Sequence, residues 1–148
     1  MDVLRPTAGR SRLLRGAIVA LLLLVPAVSV AAGEFPYDQT LMLDAARMGR
    51  AKRVPMLMVS PNGDAAIRLW CKDVSAHVEL SGQAIKIEPG PLPDGLPDMM
   101  VDGQCVPQRM QADSDMLAVL KQITQWRVGG DVLLLSGSKT LRFFLSSH

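Results

Sequence analysis

DSDMLAVLKQITQWRVGG, residues 113–130, is where the hydrophobic period of the chain changes. Met116, Val119, Leu120, Ile123 and Trp126 fall at i, i+3, i+4, i+7 and i+10, one stripe of an amphipathic helix. Asp113 has the short acceptor side chain of an N-cap, and Asp115 adds negative charge to the first turn, where the helix dipole favours it. Lys121 and Arg127 lie toward the other end, and Gly129-Gly130 stop the run. The spacing predicts one helix over about residues 113–128.

Outward from that helix the chain is rich in strand formers and loosely alternating. QTLMLD (39–44), VPMLMVS (54–60), AAIRLWC (65–71), VSAHVEL (74–80), QAIKIE (83–88), DVLLLS (131–136) and TLRFFLS (140–146) read as strands. Asn62-Gly63 between two of them is a hairpin signal, expected as a type I′ turn in which both central residues take positive φ. Ser81-Gly82 and Gly137-Ser138 mark further turns. Hairpin links this short make neighbouring strands antiparallel, because parallel neighbours need longer crossovers. Six or seven strands with one helix give an α+β fold, a curved antiparallel sheet wrapped around or packed on the helix. PGPLPDGLPD (89–98), with four prolines and two glycines, admits neither helix nor central strand. It is a surface loop of about ten residues and a candidate functional edge.

Residues 1–32 have the layout of an export signal. Arg5, Arg10, Arg12 and Arg15 precede the apolar run 16–30, and Val30-Ala31-Ala32 offers small residues for cleavage. The expectation is a cleaved signal peptide, 1–32, a mature domain, 33–148, and a periplasmic or secreted address with no stable membrane span after cleavage. An uncleaved anchor is the rival reading, at the lower limit of spanning length and broken by Pro26. With the four arginines and one aspartate of that segment set aside, 12 basic and 13 acidic residues remain. A domain without basic excess is not built for nucleic acid. At 4% aromatic residues, aliphatics and methionine are expected to fill the core.

Cys71 and Cys105 are the two cysteines. In an exported chain they read as a disulfide, closing about 34 residues and stabilising by roughly 3–4 kcal/mol. Two buried thiols, or a redox or metal pair, are the alternatives. Met56 and Met58 share a strand face, and Met99-Met100 precede Cys105. Thioethers bind Cu(I), but methionine also packs cores. His77 is the one internal histidine, and no nucleophile elbow, HExxH spacing or carboxylate pair stands out, so the residues nominate no catalytic site, cofactor or resident metal. Arg47, Arg50, Lys52 and Arg53 form a basic run that reads as a solvated loop, with an acidic head group or glycan as the other possibility.

GQCVPQRMQADSDMLAVL (103–120) resembles the signature of META-domain proteins, the HslJ-like heat-shock family. Cys105, Pro107, Met110, Asp113, Leu117 and Leu120 fall at matching places, with Asp113 where the family usually has Glu. Trp70-Cys71-Lys72 stands where the family carries Gly-Cys-Asn, followed by VELSGQAIKIE, and WRVGGDVLLLSGSKTLRFFL (126–145) resembles its closing strands. The likeness spans about residues 64–146. It implies a partly open antiparallel barrel of about six to eight strands packed on one helix (about 113–128). It also implies an exported or envelope protein linked to heat shock and stress, with no established enzymatic activity.

Two functions follow as expectations. One is a non-catalytic exported domain that supports envelope or stress tolerance by binding an envelope protein or an apolar ligand. The other is a secreted, disulfide-stapled inhibitor of a hydrolase such as lysozyme, with Pro91, Leu92 and Pro93 at its inserting edge. Copper buffering through Met56, Met58 and the cysteines is a weaker third. Trp70 and Lys72, where the chain departs from the family, are the remaining candidate interaction residues.

Overall fold

The computed structural model describes residues 33–45, 53–95 and 105–146. The expected signal peptide, most of the basic run, and Met99-Met100 lie outside the described residues. Eight strands and one helix follow in the order β1 (Leu41–Leu43), β2 (Met56–Val59), β3 (Asp64–Arg68), β4 (Asp73–Ser81), β5 (Ala84–Pro89), α1 (Pro107–Leu120), β6 (Ile123–Gly129), β7 (Val132–Gly137) and β8 (Thr140–Leu145). All neighbours are antiparallel, and β1 pairs with β8, so the sheet closes into a barrel in sequence order. The α+β expectation holds, and the partly open barrel is in fact closed. The seam between β5 and β6 is narrow, with a single register pair, Ala84 with Gln125. The Trp126 N–H to Gln83 O bond (3.0 Å) and the Trp126 Nε1–H to Gly82 O bond (2.9 Å) supplement it.

Alternation along each strand sorts residues into an inside and an outside. Leu57 and Val59 of β2, Ile67 of β3, Ile85 and Ile87 of β5, Leu133 and Leu135 of β7 and Phe143 of β8 point inward. Met116, Leu117 and Leu120 of α1 join them in one core, and Phe35 packs edge-on against Trp126 at 5.2 Å. Burying each leucine contributes about 1.5–3 kcal/mol, so aliphatics carry the stability. Methionine does not share that role as expected. Met116 is buried, while Met58 is 42% exposed and Met110 38%.

The helix differs from its expected span. It starts at Pro107, whose missing N–H is harmless in the first turn, and ends at Leu120 rather than near residue 128. Ile123 and Trp126 belong to β6. A register shift between Ile123 and Gln125 turns both side chains inward although they are three residues apart. A bulged strand thus reproduces helical spacing. Gly129-Gly130 lie not at a helix end but at the turn between β6 and β7, with Gly130 at φ 59°.

Two glycines are fixed by what surrounds them. Gly63 takes φ 89°, but Asn62 does not have positive φ, so the turn is not type I′. Gly63 N–H donates to Ser60 O and Ser60 N–H to Asp64 O, a turn closed by a left-handed glycine. Gly137 sits opposite the bulge, paired with Ile123, and a Cβ there would lie 1.9 Å from Gln122 O. Backbone cannot be displaced as a side-chain tip can. Gly137→Ala is expected to lower the unfolding free energy by about 3 kcal/mol, read as a shift in the urea midpoint at unchanged slope.

Candidate functional site

The connection between β3 and β4, residues 69–72, is held by side chains from two other parts of the chain. Asp113, expected as an N-cap, sits in the middle of α1 with no exposure, and the cap position is Val106. Its carboxylate accepts three consecutive backbone N–H groups. Trp70 N–H reaches Oδ1 at 2.9 Å, Cys71 N–H reaches both oxygens at 3.3 and 3.1 Å, and Lys72 N–H reaches Oδ2 at 2.9 Å. Arg109, one turn earlier and 3% exposed, donates from Nη2 to Trp70 O at 3.1 Å. Arg53 donates from Nε to Leu69 O at 2.7 Å and from Nη2 to Lys72 O at 3.3 Å, and pairs with Asp73. Leu69 N–H closes the turn on Lys72 O at 2.8 Å. The polar main chain of a buried turn is thereby satisfied by one carboxylate and two guanidiniums.

Charge in this clamp is set by burial. Burial pushes the Asp113 carboxyl above its ordinary value, while the N–H groups of Lys72, Cys71 and Trp70 and the Arg53 charge pull the other way. Arg53 is pushed down by burial, opposed by Asp73. The Asp113 contribution linked to protons is complete below the carboxyl's unfolded value and declines as pH rises through the raised one, the reverse of a surface salt bridge.

Cys71 and Cys105 are joined, with Cα atoms 5.6 Å apart, so the disulfide expectation holds. The bridge ties the same turn to the residue two before the helix. Among the described residues, Met56 and Met58 lie apart from the bridge. Cys71 lies buried in the bridge, whereas the β2 positions Met56 and Met58 share the outer side of the strand. Of the candidate interaction residues, Trp70 is 6% exposed and belongs to the core. Lys72 and the proline loop do come together, through Lys72 Nζ donating to Pro93 O. Pro91 and Pro93 are exposed, and Leu92 packs against the core. Arg109 went unnoticed in the sequence. Its signal was positional, since Arg109, Asp113, Leu117 and Leu120 fall on one helical face, with the two charged residues nearest the start.

A second feature lies on the outside of the barrel. Register places Met42 opposite both Phe144 of β8 and Met56 of β2. Met58 is two residues beyond Met56, so exposed or half-buried apolar side chains run across three strands. The Arg142 guanidinium covers the Phe144 ring at 5.1 Å from its centroid.

The META domain family matches residues 37–148. The chain belongs to the META domain family. Two solved structures share the fold. One NMR structure is 19% identical, covering 73% of this chain and 89% of its own, with a TM-score of 0.51. An NMR structure of a protein from Burkholderia xenovorans is 18% identical, covering 76% of this chain and 84% of its own, with a TM-score of 0.53. No curated protein matches the sequence. The residues on which the resemblance was read have separate roles in the structure. Pro107 opens the helix, Asp113 clamps the turn, Leu117 and Leu120 enter the core, and Met110 is exposed. The clamp bonds main chain rather than side chains at 70–72, which is why tryptophan and lysine stand there without breaking it.

Proposed function

We propose that this META domain is a non-catalytic, exported binding domain that supports envelope or stress tolerance. The observation that carries this reading is the division of labour among its polar and apolar groups. Arg53, Arg109 and Asp113 hold a turn in place, while Met42, Met56, Met58 and Phe144 stand on the outer wall of a filled barrel. Methionine-rich surfaces adapt to partner shape, and an envelope protein presenting an apolar strand or helix is the occupant in this reading. A deletion strain is expected to lose tolerance to heat and to envelope-active compounds. The wild-type gene restores it, and a Met58→Asp, Phe144→Ser variant that is exported at normal level does not. Unchanged tolerance in the deletion strain removes the stress role, and full rescue by the variant removes this face.

The hydrolase-inhibitor reading is favoured by a different observation. Lys72 binds Pro93 O, and Leu92 is seated on the core, so residues 90–93 are anchored before any partner arrives. Inhibition of lysozyme or a periplasmic hydrolase by the purified domain, lost on shortening this loop, is the result that reading requires.

A further inference from the structure

The turn and the helix are fastened twice. One fastening is the bond between the sulfurs of Cys71 and Cys105. The other is the set of bonds from Asp113 and Arg109 to the main chain of residues 70–72, in which neither sulfur takes part. Opening the first leaves the second in place. The two cysteines are also unequally placed, since Cys71 is a fully buried residue and Cys105 a partly exposed one. We infer that Cys71 and Cys105 form a reversible thiol–disulfide switch on a barrel that stays folded in both states, with Cys105 as the reacting sulfur and a low-mass thiol of the glutathione class as co-reactant.

The chemistry balances with that one class of reagent. A thiolate attacks Cys105 Sγ, and the bond between the two cysteines breaks. Its electron pair leaves on Cys71 Sγ, which takes up a proton, and a mixed disulfide remains on Cys105. A second thiolate attacks the outer sulfur of that adduct, releasing Cys105 as a thiolate, which is then protonated. The bridge has gained two electrons and two protons, and two thiols have become one low-mass disulfide. In the reverse direction the Cys105 thiolate attacks a low-mass disulfide, whose S–S bond breaks and releases one low-mass thiolate, leaving a mixed disulfide on Cys105. Cys71, still held by its N–H to Asp113, loses its proton and attacks Cys105 Sγ, restoring the bridge and expelling the second low-mass thiolate. The adduct would sit at the head of α1, beside Val106, 46% exposed, and Met110, 38% exposed. The mixed disulfide is the species that covers this apolar pair, and neither the bridged form nor the dithiol form carries it.

The test is made on the domain in glutathione redox buffers. Fold is read by near-UV circular dichroism, which reports the buried Trp70 and Trp126, and the thiols by alkylation and peptide mapping. The dithiol form is expected to keep the near-UV spectrum. Cys105 is expected to alkylate about 100-fold faster than Cys71, the gap reflecting the local opening that Cys71 needs. Collapse of the spectrum on reduction, alkylation of both thiols in step, or no reduction short of denaturation each overturns the switch. Cys71→Ala gives an independent check, because alanine keeps the N–H that Asp113 binds. This variant is expected to stop at a single glutathione adduct on Cys105 with the near-UV spectrum retained, and loss of the spectrum or no adduct counts against the proposal.

Discussion

Asp113→Ala is expected to remove about 5 kcal/mol from the unfolding free energy, a large share of what a domain of this size has. The magnitude follows from what remains. Three buried or half-buried N–H groups, at Trp70, Cys71 and Lys72, lose their acceptor together, and each orphaned donor costs about 1–3 kcal/mol. Arg109 stays in the buried face of α1 with its nearest anionic neighbour on the helix deleted. Asp113→Asn keeps one acceptor oxygen but aims an amide at other donors, so it recovers only part of the loss. The asparagine variant also isolates the proton linkage. The stability difference between wild type and Asp113→Asn is expected to shrink from acid to neutral pH, because ionisation of a carboxyl raised by burial opposes folding. A difference that grows over the same range means the N–H donors outweigh burial. Urea titrations of the three proteins at several pH values measure both effects.

Removing the bridge is expected to cost about 3–4 kcal/mol, or about 15 °C in Tm, through Cys105→Ser or Cys71→Ala. The sequence separation of 34 sets this figure, since the unfolded chain regains the freedom of that loop. The loss differs in kind from that of Asp113→Ala. Cutting the bridge acts mainly on the unfolded ensemble, whereas cutting the clamp damages the folded one. Combined in one protein, the two are expected to be non-additive, because both join the β3–β4 turn to α1 and its approach. A double-mutant cycle with a coupling of more than about 1 kcal/mol identifies them as two fastenings of one joint. Simple addition shows them to be separate.

Much of the fold was legible because strands announce themselves by alternation and turns by glycine. The seven segments outside the helix read as strands are all strands in the structure. The helix was misplaced for a local reason. Bulging at Ile123–Gln125 gave β6 the spacing of a helix, and helix and strand share a stripe that runs unbroken from Met116 to Trp126. Nothing in one sequence separates those cases except the strand-forming Ile123, Thr124, Trp126 and Val128. The clamp was illegible for a different reason. An aspartate ahead of an apolar run looks like a cap, and its true partners are main-chain groups 41–43 residues away, which have no side-chain signature. The disulfide was readable because two cysteines allow one pairing. Its companion Arg109 was not, because an arginine among the polar residues of a first turn looks solvated until the turn it faces is known.

The seam between β5 and β6 changes how the molecule as a whole should be pictured. Every other junction in the wall carries at least two register pairs, and this one carries Ala84 with Gln125 alone. Here the barrel is a band with a clasp, and the clasp is the indole of Trp126 reaching Gly82. Helix α1 lies in the chain between those two strands and packs against β5, one side of the narrow seam. Displacing the helix, by loss of its carboxylate clamp or by heat, is expected to loosen this seam before the better-paired junctions. Hydrogen exchange at Trp126 is therefore expected to report the state of the turn at residues 69–72, to which the helix is clamped.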